Sequence, residues 1–310
     1  MNDAFKVIKN GKTLDYRIGQ DLNLTDVEQF FKKSYEVKKL WSEKRHVVGI
    51  LEKENKKYFL KLATTEGISI RFETEKIWDE EFNKHNTKQN FKVPKIFESG
   101  YYNKLLYFVT DFFEGEKLAE LTGKTNKISD NLELVLDFAE HIQTLPLTIP
   151  VNDAIMSDDH QEWFRLKTKS WLDSIPKDVY DKFELDKLWR IVVEGSNLLQ
   201  KRPRHGDFTP WHIILPGDSK LGLIDGEHAH SLGVEYYDIC YFIQRVYSVL
   251  EDEELASKIF HKLLSRGYDK SKLKTVLLSR AIGGFLDESF KPSPNYQIAS
   301  DFAKQTQVIG

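Results

Sequence analysis

The sequence predicts an α+β chain of two lobes, a small N-terminal antiparallel sheet with one helix and a larger, mainly helical C-terminal lobe. Three observations predict it. Short apolar runs of strand character crowd the chain before Asp111. One helix-period segment interrupts them. After Asp111 the spacing turns helical and stays so, apart from a short patch between His205 and Ile224.

Residues 22–35 carry Leu24, Val27, Phe30 and Phe31 at helical spacing, with Asn23 or Thr25 as the cap. The runs His46 to Glu52 and Tyr58 to Ala63 flank the polar stretch Lys53 to Lys57, which predicts a β-hairpin. Glu36 to Trp41 supplies a third strand. Residues 69–85 place Phe72, Ile77, Trp78 and Phe82 among charged neighbours, as in an amphipathic helix. Val93 to Phe97 and Leu105 to Val109 read as two more strands with a turn near Asn103. The lobes are expected to divide into residues 1–112 and 113–310, with Asp111 to Gly115 as the hinge and Gly115 giving it backbone freedom.

The chain has 310 residues, enough for a core that needs no disulfide or structural metal. Its formal charge of −3 argues against broad nucleic-acid binding, which calls for a basic excess. Cys240 is the single cysteine, so no internal disulfide forms; it sits in the apolar stretch Asp238 to Phe242 and is expected to be a buried thiol. No apolar run nears the roughly 18 residues of a membrane helix, and no apolar leader follows Met1. A reducing, cytoplasmic setting is the expectation.

The segment richest in chemistry runs from Arg204 to Leu215, with His205-Gly206-Asp207 at its start and His212 five residues beyond Asp207. Ile213 to Leu215 and Leu221 to Ile224 predict a short ribbon, turned by Pro216, Gly217, Asp218 and Ser219, that ends on Asp225. Asp207 and Asp225 are 18 residues apart. Phosphoryl transfer to a hydroxyl needs one carboxylate near the attacking oxygen and another to hold Mg²⁺ against the phosphates. A loop carboxylate, a ribbon and a second carboxylate put both on one side of a cleft.

These residues resemble the catalytic loop of aminoglycoside phosphotransferases and choline-kinase-like enzymes, whose fold is protein-kinase-like. In that family His-Gly-Asp stands where protein kinases have His-Arg-Asp. Ile224-Asp225-Gly226-Glu227 is similar to its Ile-Asp-Trp-Glu, and Tyr237-Asp238-Ile239 to a later Tyr-Asp-Leu-Ala whose acid buttresses the catalytic loop. The resemblance implies Asp207 as catalytic base, Asp225 as principal Mg²⁺ ligand and ATP or GTP as phosphate donor. It implies that Lys61, a lysine inside the apolar run Tyr58 to Ala63, contacts the α- and β-phosphates. Lys61 alternates with Leu60 and Leu62 and so faces away from them. Its proposed partner is Glu75, with Glu73 as the other choice. Asp111 and Phe113 fall at the hinge, where backbone groups near Phe112 and Phe113 are expected to bind the adenine.

Three departures qualify the resemblance. His212 stands where the family has a metal-binding Asn, and imidazole suits Mg²⁺ poorly. Reliance on the Asp225 metal alone, a phosphate contact by protonated His212, or loss of catalysis with nucleotide binding retained all follow; retained Asp207, Asp225 and Lys61 favour activity. The turn Trp41 to His46 has no glycine, leaving Ser42 or Lys44 to touch phosphate. Gly226 replaces a Trp or Phe and is expected to loosen the metal loop.

The expected function is transfer of the γ-phosphate to a hydroxyl of a small molecule, aminoglycoside-, choline- or sugar-like. The alternatives are a catalytically weak, pseudokinase-like regulatory protein and a phosphotransferase acting on a protein or nucleotide-linked sugar. Asp153, Asp158, Asp159, Glu162, Trp163 and Trp171 suggest a pocket for a cationic amine; against it, such acids often cap helices and both tryptophans suit a core.

Overall fold

The computed structural model describes residues 4–122, 125–155, 157–217 and 220–308. It opens with a hairpin that the apolar runs do not reveal, β1 (Lys6–Lys9) and β2 (Lys12–Asp15), turned by Asn10 and Gly11. Both turn residues have positive φ, 50° and 75°, which a type I′ turn requires and Asn-Gly favours. α1 (Leu24–Phe31) follows, and it is the Asn23 side chain that caps it, accepting the Thr25 N–H.

β3 (Glu36–Glu43), β4 (His46–Lys53) and β5 (Lys56–Ala63) lead into α2 (Glu66–His85), then β6 (Phe91–Lys92), β7 (Ile96–Tyr102) and β8 (Leu105–Asp111). The main sheet is antiparallel in the order β3-β4-β5-β8-β7. The strand expected over Val93 to Phe97 begins later, at Ile96. Pro94 has no N–H to give a ladder, and Val93 turns into the core beside Phe91.

The two faces of this sheet have different partners. Val47, Leu51, Leu60, Leu62 and Val109 meet Val27 and Phe31 of α1. Ala63, Leu106 and Phe108 meet Ile68 and Phe72 of α2. Alternation along β5 therefore sends Lys61 to the α2 side.

Beyond the hinge come β9 (Glu116–Lys117), α3 (Ile128–Thr144), α4 (His160–Leu172), α5 (Lys177–Lys182) and α6 (Leu185–Ser196). Then follow β10 (Lys201–Arg204), β11 (Ile213–Leu215), β12 (Leu221–Leu223), β13 (His230–Val234), α7 (Tyr237–Ser248), α8 (Glu253–Ser265), α9 (Lys270–Ser289) and α10 (Tyr296–Val308). α9 is central, packing against α4, α6, α7 and α10. The extended segments here outrun the expected patch: β10 pairs with β13, and β6 and β9 flank the ribbon β12-β11. Asp218 and Ser219 of its turn lie outside the described residues, as do Met1 to Asp3.

We propose the lobe boundary at residue 112. Across it Trp78, Phe82, Phe91 and Val93 join the core of Phe138, Phe208 and Phe242, and Phe91 stacks on Phe138 with centroids 4.4 Å apart. Full burial of such side chains contributes about 1.5–3 kcal/mol each. Cys240 is buried. No helix among the described residues is long and apolar enough to cross a membrane.

Candidate active site

Lys61 reaches from β5 into the space between the sheet and the ribbon. Its Nζ lies 2.5 Å from Glu75 Oε2 on α2 and 2.8 Å from Asp225 Oδ1 beyond β12. Burial works against the ammonium, but Asp225, Glu75 and Glu227 hold its pKa well above the usual lysine range. Burial pushes Glu75 up, against the pull of Lys61, while the charges of Lys61 and His212 hold Asp225 down despite its own burial. Glu73 is not the partner; it points away, 3.8 Å from Lys9. One turn after Glu75, Asp79 is buried, and burial together with the Glu75 charge raises its pKa well above the ordinary value. A carboxylate surplus around one lysine is relieved by keeping one acid neutral.

The catalytic-loop segment is fixed from below. Asp238, at the start of α7, accepts the backbone N–H groups of His205 and Gly206, each at 2.8 Å. Gly206 has φ +83°, and a β-carbon there would lie 2.3 Å from the His228 carbonyl oxygen, so only glycine fits. His205 is buried, and burial pushes its pKa down to about 3, so it stays neutral. Its Nδ1 accepts the Asp207 N–H at 3.3 Å. Asp225 adopts φ +69°, a left-handed conformation that Asp tolerates better than most, directly after Ile224 donates to the His212 carbonyl at 3.1 Å.

Asp207, His212 and Asp225 each place one ligand atom within 4.8 Å of the others. His212 Nδ1 lies 3.1 Å from the Asp207 carbonyl oxygen, which can only accept, so Nδ1 carries a proton. Nε2 then faces Asp225 Oδ2 at 3.4 Å. Two carboxylates with room for water suit a hard cation such as Mg²⁺; the imidazole nitrogen is the unusual donor.

At the hinge, the Asp111 side chain is already committed, accepting the Lys95 N–H at 2.6 Å. The Phe113 ring lies over Gly222 of β12. Among the described residues the backbone N–H of Phe113 has no protein partner, so it is open to a ligand. Gly115 has φ +152° and approaches the Leu215 carbonyl too closely for any side chain.

Several participants escaped the sequence reading. Ser42 and Lys44 are exposed, whereas Arg45 of the same turn pairs with buried Glu227 at 2.6 Å and donates to the Tyr16 carbonyl at 3.2 Å. Trp78 fills the space beside Gly226, so the expected loosening of the metal loop is corrected: the indole comes from α2 instead. Only Asp79 had a sequence signal, being four residues beyond Glu75 on one helix face.

Among the described residues, the acids and tryptophans expected to form an amine pocket do not gather: only Asp153 and Trp171 line a common cavity. Asp159 caps α4 by accepting the Glu162 N–H at 2.7 Å, Glu162 accepts from Ser157 and Asp158 is exposed. Trp163 is buried against His230. Asp153 is buried and paired with Arg71 and Lys167.

A model of the phosphotransferase enzyme family matches residues 40–273. A comparison with curated protein sequences returns no match. Among solved structures, the aminoglycoside phosphotransferase APH(4)-Ia is similar with a TM-score of 0.67 at 13% identity, covering 93% of this chain and 99% of its own. An aminoglycoside phosphotransferase solved with GDP and kanamycin gives 0.60 at 13% identity, over 93% and 98%. The choline kinase LicA from Streptococcus pneumoniae gives 0.58 at 13% identity, over 92% and 98%. At such identities these likenesses establish the protein-kinase-like fold, while the family match spans most of the sequence: the chain belongs to the phosphotransferase enzyme family.

Proposed function

We propose that this phosphotransferase moves the γ-phosphate of ATP or GTP to a hydroxyl of a small molecule, in a cytoplasmic setting. The observation that carries the reading is the convergence of Lys61, Glu75, Asp207, His212 and Asp225 on one crevice. Asp207 accepts the hydroxyl proton as the acceptor oxygen bonds to the γ-phosphorus, and the bond to the β–γ bridging oxygen breaks to release the nucleoside diphosphate. Lys61, oriented by Glu75, binds the α- and β-phosphates, and the hinge backbone near Phe112 and Phe113 binds the base. Asp225, with His212 beside it, would hold Mg²⁺, which supplies charge neutralisation along the phosphates. Crystal structures of similar phosphotransferases with bound nucleotide, one with ADP and hygromycin B and one with GDP and kanamycin, support the donor class.

Mg²⁺-dependent ATP turnover over an acceptor panel tests this. Asp207→Asn is expected to lower kcat by about 10²–10⁴ with nucleotide affinity retained. Nucleotide binding without turnover on any acceptor would favour a pseudokinase-like role instead.

A further inference from the structure

Gly206 also forms part of the wall of a cavity of about 100 Å³, room for a few waters or one compact oxyanion. Phe5 and Tyr16 line it from the N-terminal hairpin, and Phe5 rests on Phe290 with centroids 5.5 Å apart. Trp171, Tyr237 and Tyr241 add aromatic surface, and much of the remaining wall is charged. Arg71, Lys167, Arg204, Arg245 and Arg280 contribute five cations against the carboxylates of Asp153 and Asp287. Asp207 and Asp238 lie just beyond, and the cations stay in excess even when both are included.

The two lining acids are already used. Asp153 is bound by Arg71 and lies 3.4 Å from Lys167; Asp287 lies 2.8 Å from Arg245. Arg204 and Arg280 are left over. They are 5% and 4% exposed, yet among the described residues neither has a carboxylate within 4.0 Å. Arg280 lies 3.9 Å over the Tyr241 ring and donates to the Tyr237 hydroxyl at 3.0 Å. Arg204 lies 3.8 Å over the Tyr237 ring. The Nε atoms of Arg71, Arg204, Arg245 and Arg280 have no protein partner. Asp238 acts on Arg204 only at longer range, its oxygens being occupied by the loop N–H groups. Aromatic faces offset part of the cost of burying a guanidinium, but an unpaired buried charge remains expensive. Its natural complement is an oxyanion, which arginine binds through parallel hydrogen bonds.

We propose that the acceptor is an anionic small molecule, whose phosphate or carboxylate group is held in this cavity by Arg204 and Arg280 while its hydroxyl reaches Asp207. The proposal rests on the phosphotransferase reading above and reverses the amine-binding expectation. Adjacency supports it: Asp207 follows cavity-lining Gly206, and its charge acts on Tyr241 and Arg245. The cavity takes the anionic group alone, so the hydroxyl-bearing part lies towards the loop.

The test uses the full chain and inorganic phosphate, with acetate as the carboxylate arm and chloride as the control, read by calorimetry and thermal shift. Phosphate or acetate should bind the parent protein and the Lys61→Ala variant alike, with affinity about tenfold weaker or more in Arg280→Gln and partly recovered in Arg280→Lys. If Arg280→Gln does not fold, Arg204→Lys and Arg280→Lys give the same comparison with charge retained and the planar fork removed. No anion binding, or binding lost in Lys61→Ala and kept in the arginine variants, overturns the proposal. In turnover assays a sugar phosphate and a sugar acid are compared with the neutral sugar and the amino sugar; better turnover of the last two also overturns it. Failure of nucleotide binding would instead sink the phosphotransferase reading, with the anion arm still decided at Arg280.

Discussion

The indole of Trp78 lies against the backbone of Gly226, where a β-carbon would stand 2.3 Å from Trp78 Cδ1. The same ring meets His205 edge-on, with centroids 5.1 Å apart. One side chain of α2 thus supports both the catalytic-loop segment and the turn that carries Asp225. Gly226→Ala should cost about 1–3 kcal/mol by overpacking, and Trp78→Ala about 3–5 kcal/mol by cavity formation. Because the two share one space, the double variant should lose less than the sum, as read by denaturant unfolding. Strict additivity would show that the contact carries no coupling.

Arg45 and Glu227 join the β3–β4 turn to the segment that carries Asp225, at 2.6 Å. Glu227 is 2% exposed on its side chain, and Arg45 and His228 hold its carboxyl well below the ordinary range in spite of burial. Arg45→Met removes the main partner of a buried carboxylate and should destabilise the protein by about 3 kcal/mol. It should also raise the KM for ATP, since this turn occupies the place of a phosphate-covering loop. A loss below about 1 kcal/mol, as for exposed pairs, would count against the latch.

What was legible in the sequence was what local periodicity encodes. The alternation of Leu60, Lys61 and Leu62 set Lys61 on the face opposite the two leucines, and the sheet keeps it so, with the leucines against α1 and Lys61 at Glu75 of α2. The β1–β2 hairpin went unread: Asn10-Gly11 carries its turn signal, but its strands are short and hold few apolar residues. Arg45 and Glu227 are 182 residues apart, and Arg204 meets Tyr237 through the pairing of β10 with β13, the strand before α7. Such pairs leave no periodic trace. Asp153 read as an open acid because it lies between helices and its partners, Arg71 and Lys167, come from α2 and α4.

Asp238 links the loop to pH. Burial raises its pKa to about 6 from 3.8, although the His205 and Gly206 N–H groups pull it down. The folded state therefore binds this proton more tightly than the unfolded chain. The resulting stabilisation is fully present below the unfolded value and is lost as pH rises through the folded one. Two units correspond to about 3 kcal/mol. Asp238→Asn removes the titration, so its stability relative to the parent should improve by up to that amount between about pH 4 and 7. Parallel stability–pH curves for the two proteins would contradict this.

We propose that His212 bears on metal choice. Its Nδ1 is committed to the Asp207 carbonyl, which aims Nε2 at Asp225, 3.4 Å away. A nitrogen donor there weakens the preference for Mg²⁺ relative to Mn²⁺, because Mg²⁺ is the harder ion and later first-row divalent ions accept imidazole more readily. His212→Asn substitutes an amide oxygen of similar reach. The ratio of kcat/KM with Mg²⁺ to that with Mn²⁺ should then rise on the order of tenfold, the scale on which ligand-shell changes act. Nucleotide binding without metal should be little altered, since Lys61 and the hinge are untouched. If the ratio does not move while activity persists, Nε2 contacts no metal and serves only to hold Asp225 in place.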